Sequence, residues 1–444
     1  MDAKTAGGQI ETNGGVTSSA RNGARGSSDR EKIVGEHFAS PSSIDAAKNR
    51  GPLSGIRVVD MTTSYAGPTA TMYLADLGAD VIKIERPGRG DDARGWGPPF
   101  MGELSVWFAS ANRNKRSLVL NLKTPEGVEA FHRLMDTAQV FIHNLNPSKI
   151  AGLGLDHERI RDRHPRLVYC AISGFGLDGP DAHLSGYDLI AQARSGMMSV
   201  TGEAGRLPQR VSTALSDVAT AMAACAAILA ALRRLEQTGV GDVVEVSLLE
   251  TDLALMAPRI ASYLAGEPEP QPSGGSDSVL SIYQVFPTAD RSIVIAVGND
   301  IQWIRFCRCL DLTEFAVDKR MATNAGRRGL RAEIIAAIEK VLVCESADVW
   351  LTKFAEAGVP ASKVCGLSEV VSDSQVVARE SIVNLHTEDG TAYGVQSPWR
   401  LFSQEKLEHS PPPGIGDDTR EILAELDYPD GELTPLLTSD PVAQ

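Results

Sequence analysis

The chain has 444 residues, room for two or three domain-sized units, and at 43% apolar it can bury a substantial core. Acidic residues outnumber basic ones by 57 to 43, giving a formal net charge of −14. That balance excludes a general nucleic-acid binder, which needs a broad basic face for phosphate contacts, but not a local basic pocket for one phosphorylated ligand.

Residues 1–50 are rich in Gly, Ser, Asn and mixed charge, cannot offset their ordering entropy, and read as a disordered tail. They hold no apolar h-region. Asp2, Glu11, Asp29, Glu31 and Glu36 break the acid-poor pattern of a mitochondrial presequence. Order begins at Leu53. A buried strand is predicted at 56–60, a helix from Gly67 through Leu77 closed by Gly78, and a second strand at 80–85. The pattern recurs with a strand at 117–121, a helix at 125–136, a strand at 140–143, a helix near 155–163 and a strand at 166–172. Alternation at this spacing predicts an α/β fold: a Rossmann-like, doubly wound parallel sheet with right-handed crossovers.

Farther on, an alanine-rich helix runs from Asp217 to about Gln237. Arg233 and Arg234 suit its negative end and Gly239 its stop. Its apolar run, Val218 to Leu232, falls short of a bilayer span and reads as a buried helix. A strand follows at 242–247. Residues 268–278 shift to Pro, Gly, Ser and acid, as a linker or mobile loop does. A smaller unit follows, with a strand at 293–296 and a helix at 329–343, and irregular sequence returns from about 365. The expected division is a tail at 1–50, a large domain at 51–250, a linker at 251–275, a small α+β domain at 276–360 and a C-terminal segment at 361–444.

Six cysteines (Cys170, Cys225, Cys307, Cys309, Cys344 and Cys365) show no C-x-x-C pairing, and eight histidines form no H-x-x-x-H. No metal site is expected. A reducing compartment is: the cytoplasm, or the mitochondrial matrix if the cell is eukaryotic.

Gly174–Gly179 matches G-x-G-x-x-G after a strand, but Pro180 follows at once and no helix opens on the third glycine, so it reads as a turn. The stretch Lys83–Trp96 sits past a strand's C-terminal end, where open α/β sheets bind ligands, and Arg86 and Arg94 can fork onto phosphates. Arg113–Arg116 and Lys123 flank another strand. Two basic loops at neighbouring strand edges in so acidic a chain read as a focused anion site. The Gly186-Tyr187-Asp188 marker, followed by Gln192-Ala193, lies 29 residues upstream of Asp217. An acid at a helix start is either an N-cap or a nucleophile, and local sequence leaves both open. At such a place the helix dipole keeps a carboxylate ionised and aims N–H groups at a neighbouring anion.

Together Leu53–Asp60, Ala66-Gly67-Pro68, Leu77–Arg86, Gly90-Asp91, Arg94-Gly95-Trp96, Asn114–Ser117, Leu122–Gly127, Asn144 with Pro147, Ser173–Gly176, Gly186–Asp188 and Leu215–Asp217 resemble the class III CoA-transferases, the CaiB/BaiF family, nearest its formyl-CoA transferase-like branch. The match is dense over about 53–250. The resemblance implies CoA transfer from an acyl-CoA donor to a carboxylic acid, short-chain or dicarboxylic, with Asp217 carrying the acyl group. It places Arg86, Leu120, Lys123, Asn144, Leu145 and Leu153 around the CoA nucleotide. It puts Tyr65, Trp96, Tyr187 and Asp188 at the substrate pocket and matches Gly274-Gly275 to a glycine-rich lid. Gly152 and Asn146 stand where relatives carry basic residues, and Tyr65 replaces a glutamine of the formyl-CoA branch. Arg94 or Arg113 is available to a second substrate carboxylate. Racemases of the same fold use a histidine where this chain has Tyr187, and a phenol is a poor base at neutral pH. A non-catalytic acyl-CoA binder is the remaining alternative. The implied assembly is an interlocked homodimer with acyl-CoA and small acids as partners, neither nucleic acid nor membrane. No permanently bound cofactor is implied, CoA being a substrate.

Overall fold

The computed structural model describes residues 51–276, 279–387, 390–402 and 408–428; the tail expected at 1–50 lies outside them. Apolar runs of the first half form strands β1 (Arg57–Met61) and β2 (Asp80–Glu85). After a short ribbon of β3 (Phe100–Met101) and β4 (Leu104–Ser105) come β5 (Lys115–Val119), β6 (Val140–His143), β7 (Val168–Ser173) and β8 (Val243–Ser247). All but the ribbon join one sheet in the order β5-β2-β1-β6-β7-β8, each neighbouring pair parallel. The chain winds outward from β1 in one direction, then returns and winds in the other. This is the doubly wound parallel sheet that the alternation predicted.

Both faces are covered, as a parallel sheet requires. Strand residues alternate between faces. Val58, Val81, Ile142 and Cys170 meet the helices Ala66–Asp76 and Leu215–Thr238, while Val59, Ile82, Phe141 and Tyr169 meet Pro125–Asp136 and Thr419–Glu425. The long helix Leu215–Thr238 is, among the described residues, the one helix long and apolar enough to cross a membrane. One side of it, from Thr220 through Ala224, Ile228 and Leu235, is buried in the first of these cores. Gly239, at φ +71°, ends it in the left-handed conformation that a glycine accepts without strain.

The strand expected at 117–121 runs from Lys115 to Val119 instead. Its first two residues are charged, which hides them from a hydrophobicity reading, but each is paired. Lys115 meets Asp60 at 3.1 Å, and Arg116 meets Asp80 and Glu425 at 2.7 Å each. As the sheet's edge, β5 would leave N–H groups unpaired. The C-terminal segment supplies their acceptors: Asp418 takes the Ser117 N–H at 2.7 Å and Thr419 Oγ1 takes that of Val119 at 3.1 Å.

A second sheet is antiparallel, in the order β11-β10-β9, formed by β9 (Tyr283–Pro287), β10 (Ser292–Ala296) and β11 (Ala361–Lys363). It builds a third core with the helices Asp300–Cys309, Arg331–Leu342 and Ala347–Ala357 around Trp303, Phe306 and Phe354. An antiparallel hairpin, β12 (Ile382–Thr387) and β13 (Gly390–Val395), follows.

Candidate active site

The C-terminal ends of β2, β1, β6 and β7 carry loops joined into one rim. The Asn144 side chain accepts the Thr63 N–H at 3.0 Å and donates to the Thr63 carbonyl at 2.8 Å. The Asn146 amide donates to the His183 carbonyl at 2.7 Å. A relay beneath it fixes the β6 loop. The Leu145 N–H donates to Nδ1 of the buried His143, so Nε2–H of that ring donates to the Tyr169 hydroxyl (2.6 Å), which donates to the Leu155 carbonyl. Burial holds the His143 ring neutral, with its pKa lowered to about 3.

At one end of the rim, three carboxylates from three helices meet. Asp188 opens the helix Asp188–Arg194, Asp217 lies in the first turn of Leu215–Thr238, and Asp252 lies in Leu248–Leu255. Asp188 Oδ2 accepts the N–H groups of Ser216 (2.8 Å) and Asp217 (3.4 Å), while its Oδ1 accepts from Gln192 at 2.7 Å. Asp252 Oδ2 accepts the Ser216 hydroxyl at 2.8 Å. The 29-residue interval thus has a physical meaning: Asp188 caps, from another helix, the turn that bears Asp217.

Two expectations for Asp217 are corrected here. It is not the cap: Ala214 occupies the N-cap position without a side-chain bond, and Asp188 does the capping. Nor does the helix head keep it ionised. Burial first, then the charges of Asp188 and Asp252, push its pKa from the ordinary 3.8 up to about 7. The first-turn N–H groups are also all engaged, Leu215 with the Thr213 carbonyl, Ser216 and Asp217 with Asp188, and Val218 with the Ala214 carbonyl. None is left over for an oxyanion. Among the described residues the Asp217 carboxylate itself accepts no hydrogen bond. Tyr187, by contrast, is 62% exposed at the N-cap position of its helix.

Toward the other end of the rim stands an aromatic wall. Tyr65 meets Trp107 edge-on at 5.1 Å, Trp96 meets Trp107 at 6.0 Å, and the Ser110 hydroxyl lies 3.3 Å from the Tyr65 oxygen. Trp107 and Ser110 escaped the sequence reading; their signal was two residues three apart on one short helix after an Ser105 cap. A buried ion pair sets the wall's position. Lys83 Nζ lies 2.9 Å from Asp91 Oδ2 and donates to the Thr62 carbonyl, while Asp91 Oδ1 accepts the N–H groups of Ser64 and Ala93. The pair therefore fastens both the turn before Tyr65 and the turn before Trp96. Among the described residues no hydrogen bond or ring contact joins the wall directly to the carboxylate cluster.

The focused anion site expected from the basic residues is not what they form. Arg113 is fully buried and grips Asp76 through Nε (3.0 Å) and Nη2 (2.5 Å). Lys115 and Arg116 are paired as described. Arg94 forks onto Glu85 (2.9 and 2.6 Å), donates to the Pro413 carbonyl and lies 3.8 Å over the Phe108 ring. Neither Arg94 nor Arg113 is therefore free for a second substrate carboxylate. Exposed cations remain in Arg86, which pairs with Asp92 at 2.5 Å, and Lys123, just beyond β5. Leu120 is buried in the second core, and Leu145 and Leu153 pack against that core. Gly274 and Gly275 both have positive φ, +61° and +85°, and the Gly274 N–H donates to the Gly202 carbonyl at 2.9 Å. The G-x-G-x-x-G stretch is a turn, with Gly174 packed against Gly186. Among the described residues no group of His, Cys, Asp and Glu is placed to hold a metal ion.

Residues 53–419 match CoA-transferase family III. A succinate–glutarate CoA-transferase of Agrobacterium fabrum is 40% identical over 399 residues, 88% of this chain and 100% of that protein. A succinyl-CoA:glutarate CoA-transferase of Mus musculus is 38% identical over 395 residues, 88% of this chain and 91% of the other. Among solved structures, a CaiB/BaiF family protein from Brucella suis superposes with a TM-score of 0.74 at 34% identity, covering 85% of this chain and 100% of its own.

Proposed function

The chain belongs to CoA-transferase family III, and from that premise we propose that it moves CoA between short dicarboxylic acids through an acyl group carried on Asp217. It is a CoA-transferase, and transfer between an acyl-CoA and a carboxylate is its reaction. The observation that carries the finer reading is the state of Asp217. A carboxylate with a pKa of about 7 is half ionised at neutral pH and more basic than an ordinary one, and no hydrogen bond blunts it. Its oxygen attacks the donor thioester carbonyl; the C–S bond breaks, leaving a mixed anhydride and CoA thiolate. The thiolate then attacks the Asp217 carbonyl, releases the donor acid and leaves an aspartyl-CoA thioester. The acceptor carboxylate attacks that thioester, and the returning thiolate takes its acyl group. Asp217 is regenerated, and no ATP is consumed.

Succinate and glutarate are the acids named for the relatives above, and they support a four- or five-carbon dicarboxylate here. Arg86 and Lys123 are the cations proposed to meet the CoA phosphates, with Arg86 exchanging Asp92 for phosphate. Tyr187 in the place of a basic histidine supports transfer over racemisation. The test is incubation with succinyl-CoA and labelled glutarate, without ATP. Labelled glutaryl-CoA is expected. Exchange of the α-hydrogen of a branched acyl-CoA with no new thioester would mean a racemase, and tight binding with no turnover a binder.

A homodimer is part of the proposal. The helix Ala257–Leu264 buries none of its residues, yet carries Ile260, Tyr263 and Leu264, the last 78% exposed. An apolar face left open in this way calls for a partner, and a second copy threaded through the first supplies one. Such a dimer persists on dilution in native buffer; a reversible monomer–dimer equilibrium would contradict the threading. The six cysteines are all unpaired, which supports a reducing compartment such as the cytoplasm.

A further inference from the structure

We propose that Asp252 is a positioning residue for acyl transfer, acting on Asp217 through Ser216 and through the charge it adds to the cluster. The inference rests on the reading of Asp217 as the acyl carrier. Asp252 is fully enclosed, its Oδ2 accepts the Ser216 hydroxyl at 2.8 Å, and the Ser195 hydroxyl also acts on its carboxylate. Ser216 immediately precedes Asp217 and is held from two sides. Asp188 takes its N–H at 2.8 Å from the helix Asp188–Arg194, and Asp252 takes its hydroxyl from the helix Leu248–Leu255. With the residue before it held at both ends, Asp217 projects in one direction. Misplacing a reacting group by about 1 Å is enough to cost on the order of a hundred-fold in rate.

The same arrangement makes an electrostatic unit. Burial, then Asp188, then Asp252 raise the Asp217 pKa; burial raises that of Asp252 as well, opposed by the Ser216 hydrogen bond, aided by Asp188 and opposed again by Ser195. The other ionisable groups on elements packed against the long helix act elsewhere. Asp76 at the end of Ala66–Asp76 acts on Cys225, Cys170 of β7 is a buried core thiol, and Glu245 of β8 accepts the Leu177 N–H. On the neighbouring helices, Arg194 pairs with Asp181 and Glu250 bonds Ser247. Carboxylates this close share protons as a group, so the proton that Asp252 holds or releases sets how readily Asp217 ionises.

The test uses the full-length protein with Asp252→Asn, which keeps shape and an acceptor for Ser216 but removes the charge. Transfer is followed from acid to alkaline pH, and hydroxylamine trapping on Asp217 is run on the same samples. The acidic limb of the kcat profile is expected to move down by about half to one pH unit. An unmoved limb, whatever the rate, overturns the inference. If Asp252→Asn does not fold, Ser216→Ala decides. A loss of about ten-fold in kcat with KM within about two-fold supports the tether, and a wild-type kcat overturns it. Failure to trap wild-type Asp217 defeats the acyl-carrier reading and this inference with it. A trapped Asp217 with an unmoved limb defeats only this inference.

Discussion

Replacing Asp217 by asparagine is expected to abolish transfer and, at the same time, to stabilise the protein at alkaline pH. A carboxyl raised from 3.8 to about 7 stays protonated in the fold at pH values where it ionises once unfolded. Its contribution to stability is fully present below the unfolded value, 3.8, and is lost as pH rises through about 7. A shift of roughly three units at about 1.4 kcal/mol each caps the loss at ~4 kcal/mol, and about 3 kcal/mol of it falls between pH 5 and 8. Asparagine has no such dependence, so the variant gains on the wild type over that interval. At about 2.1 cal/mol/K per residue of unfolding entropy, a chain of this size converts 3 kcal/mol into a shift of roughly 3 °C. The assay is thermal melting of both proteins at pH 5 and pH 8, at equal protein concentration. The variant's advantage should widen by about that amount at the higher pH. A variant that melts below wild type at both pH values, with no widening, would refute the reasoning. Asp217 would then be ionised across that interval, as an ordinary carboxylate is.

Three further perturbations probe the framework around the site. Lys83→Met leaves Asp91 and Asp60 buried beside a lost cation and should cost about 3–5 kcal/mol in denaturant titration; wild-type stability would show that the pair fastens nothing. Gly174→Ala places a methyl group 2.6 Å from the Gly186 Cα, so the turn leading to Tyr187 and Asp188 must shift. A loss of about 1–3 kcal/mol together with reduced kcat is expected, and unchanged turnover would mean that the Asp188 cap tolerates the displacement. Trp107→Ala removes the ring that both Tyr65 and Trp96 meet edge-on. KM for the acyl-CoA donor should rise about ten-fold, roughly 1.4 kcal/mol, with the kcat profile keeping its acidic limb; an unchanged KM would place the wall outside the donor's path.

The sheet was legible because its strands are short apolar runs at regular spacing, and alternate residues such as Val58 and Val59 serve opposite cores. The charges were legible as types but not as partners. Arg113, Lys115 and Lys83 look like exposed cations, and each instead closes a buried pair with an aspartate: Asp76 and Asp60, distant in sequence, for the first two, and Asp91, across the β2 loop, for Lys83. Asp217 was singled out by the family resemblance, local sequence leaving it open between cap and nucleophile, and its ionisation was misread. The helix dipole is a local property, whereas burial and the repulsion from Asp252 come from elements that only the fold brings together. Asp252 itself was invisible, since an acid on a short helix ordinarily faces water.

The most direct measurement of the central claim is mass spectrometry of the protein after incubation with an acyl-CoA donor and hydroxylamine. An acyl anhydride or thioester on Asp217 is converted to a hydroxamate, and the account predicts that modification at Asp217, dependent on the donor and absent from Asp217→Asn. A donor that turns over while the modification appears on another residue, or on none, would contradict it.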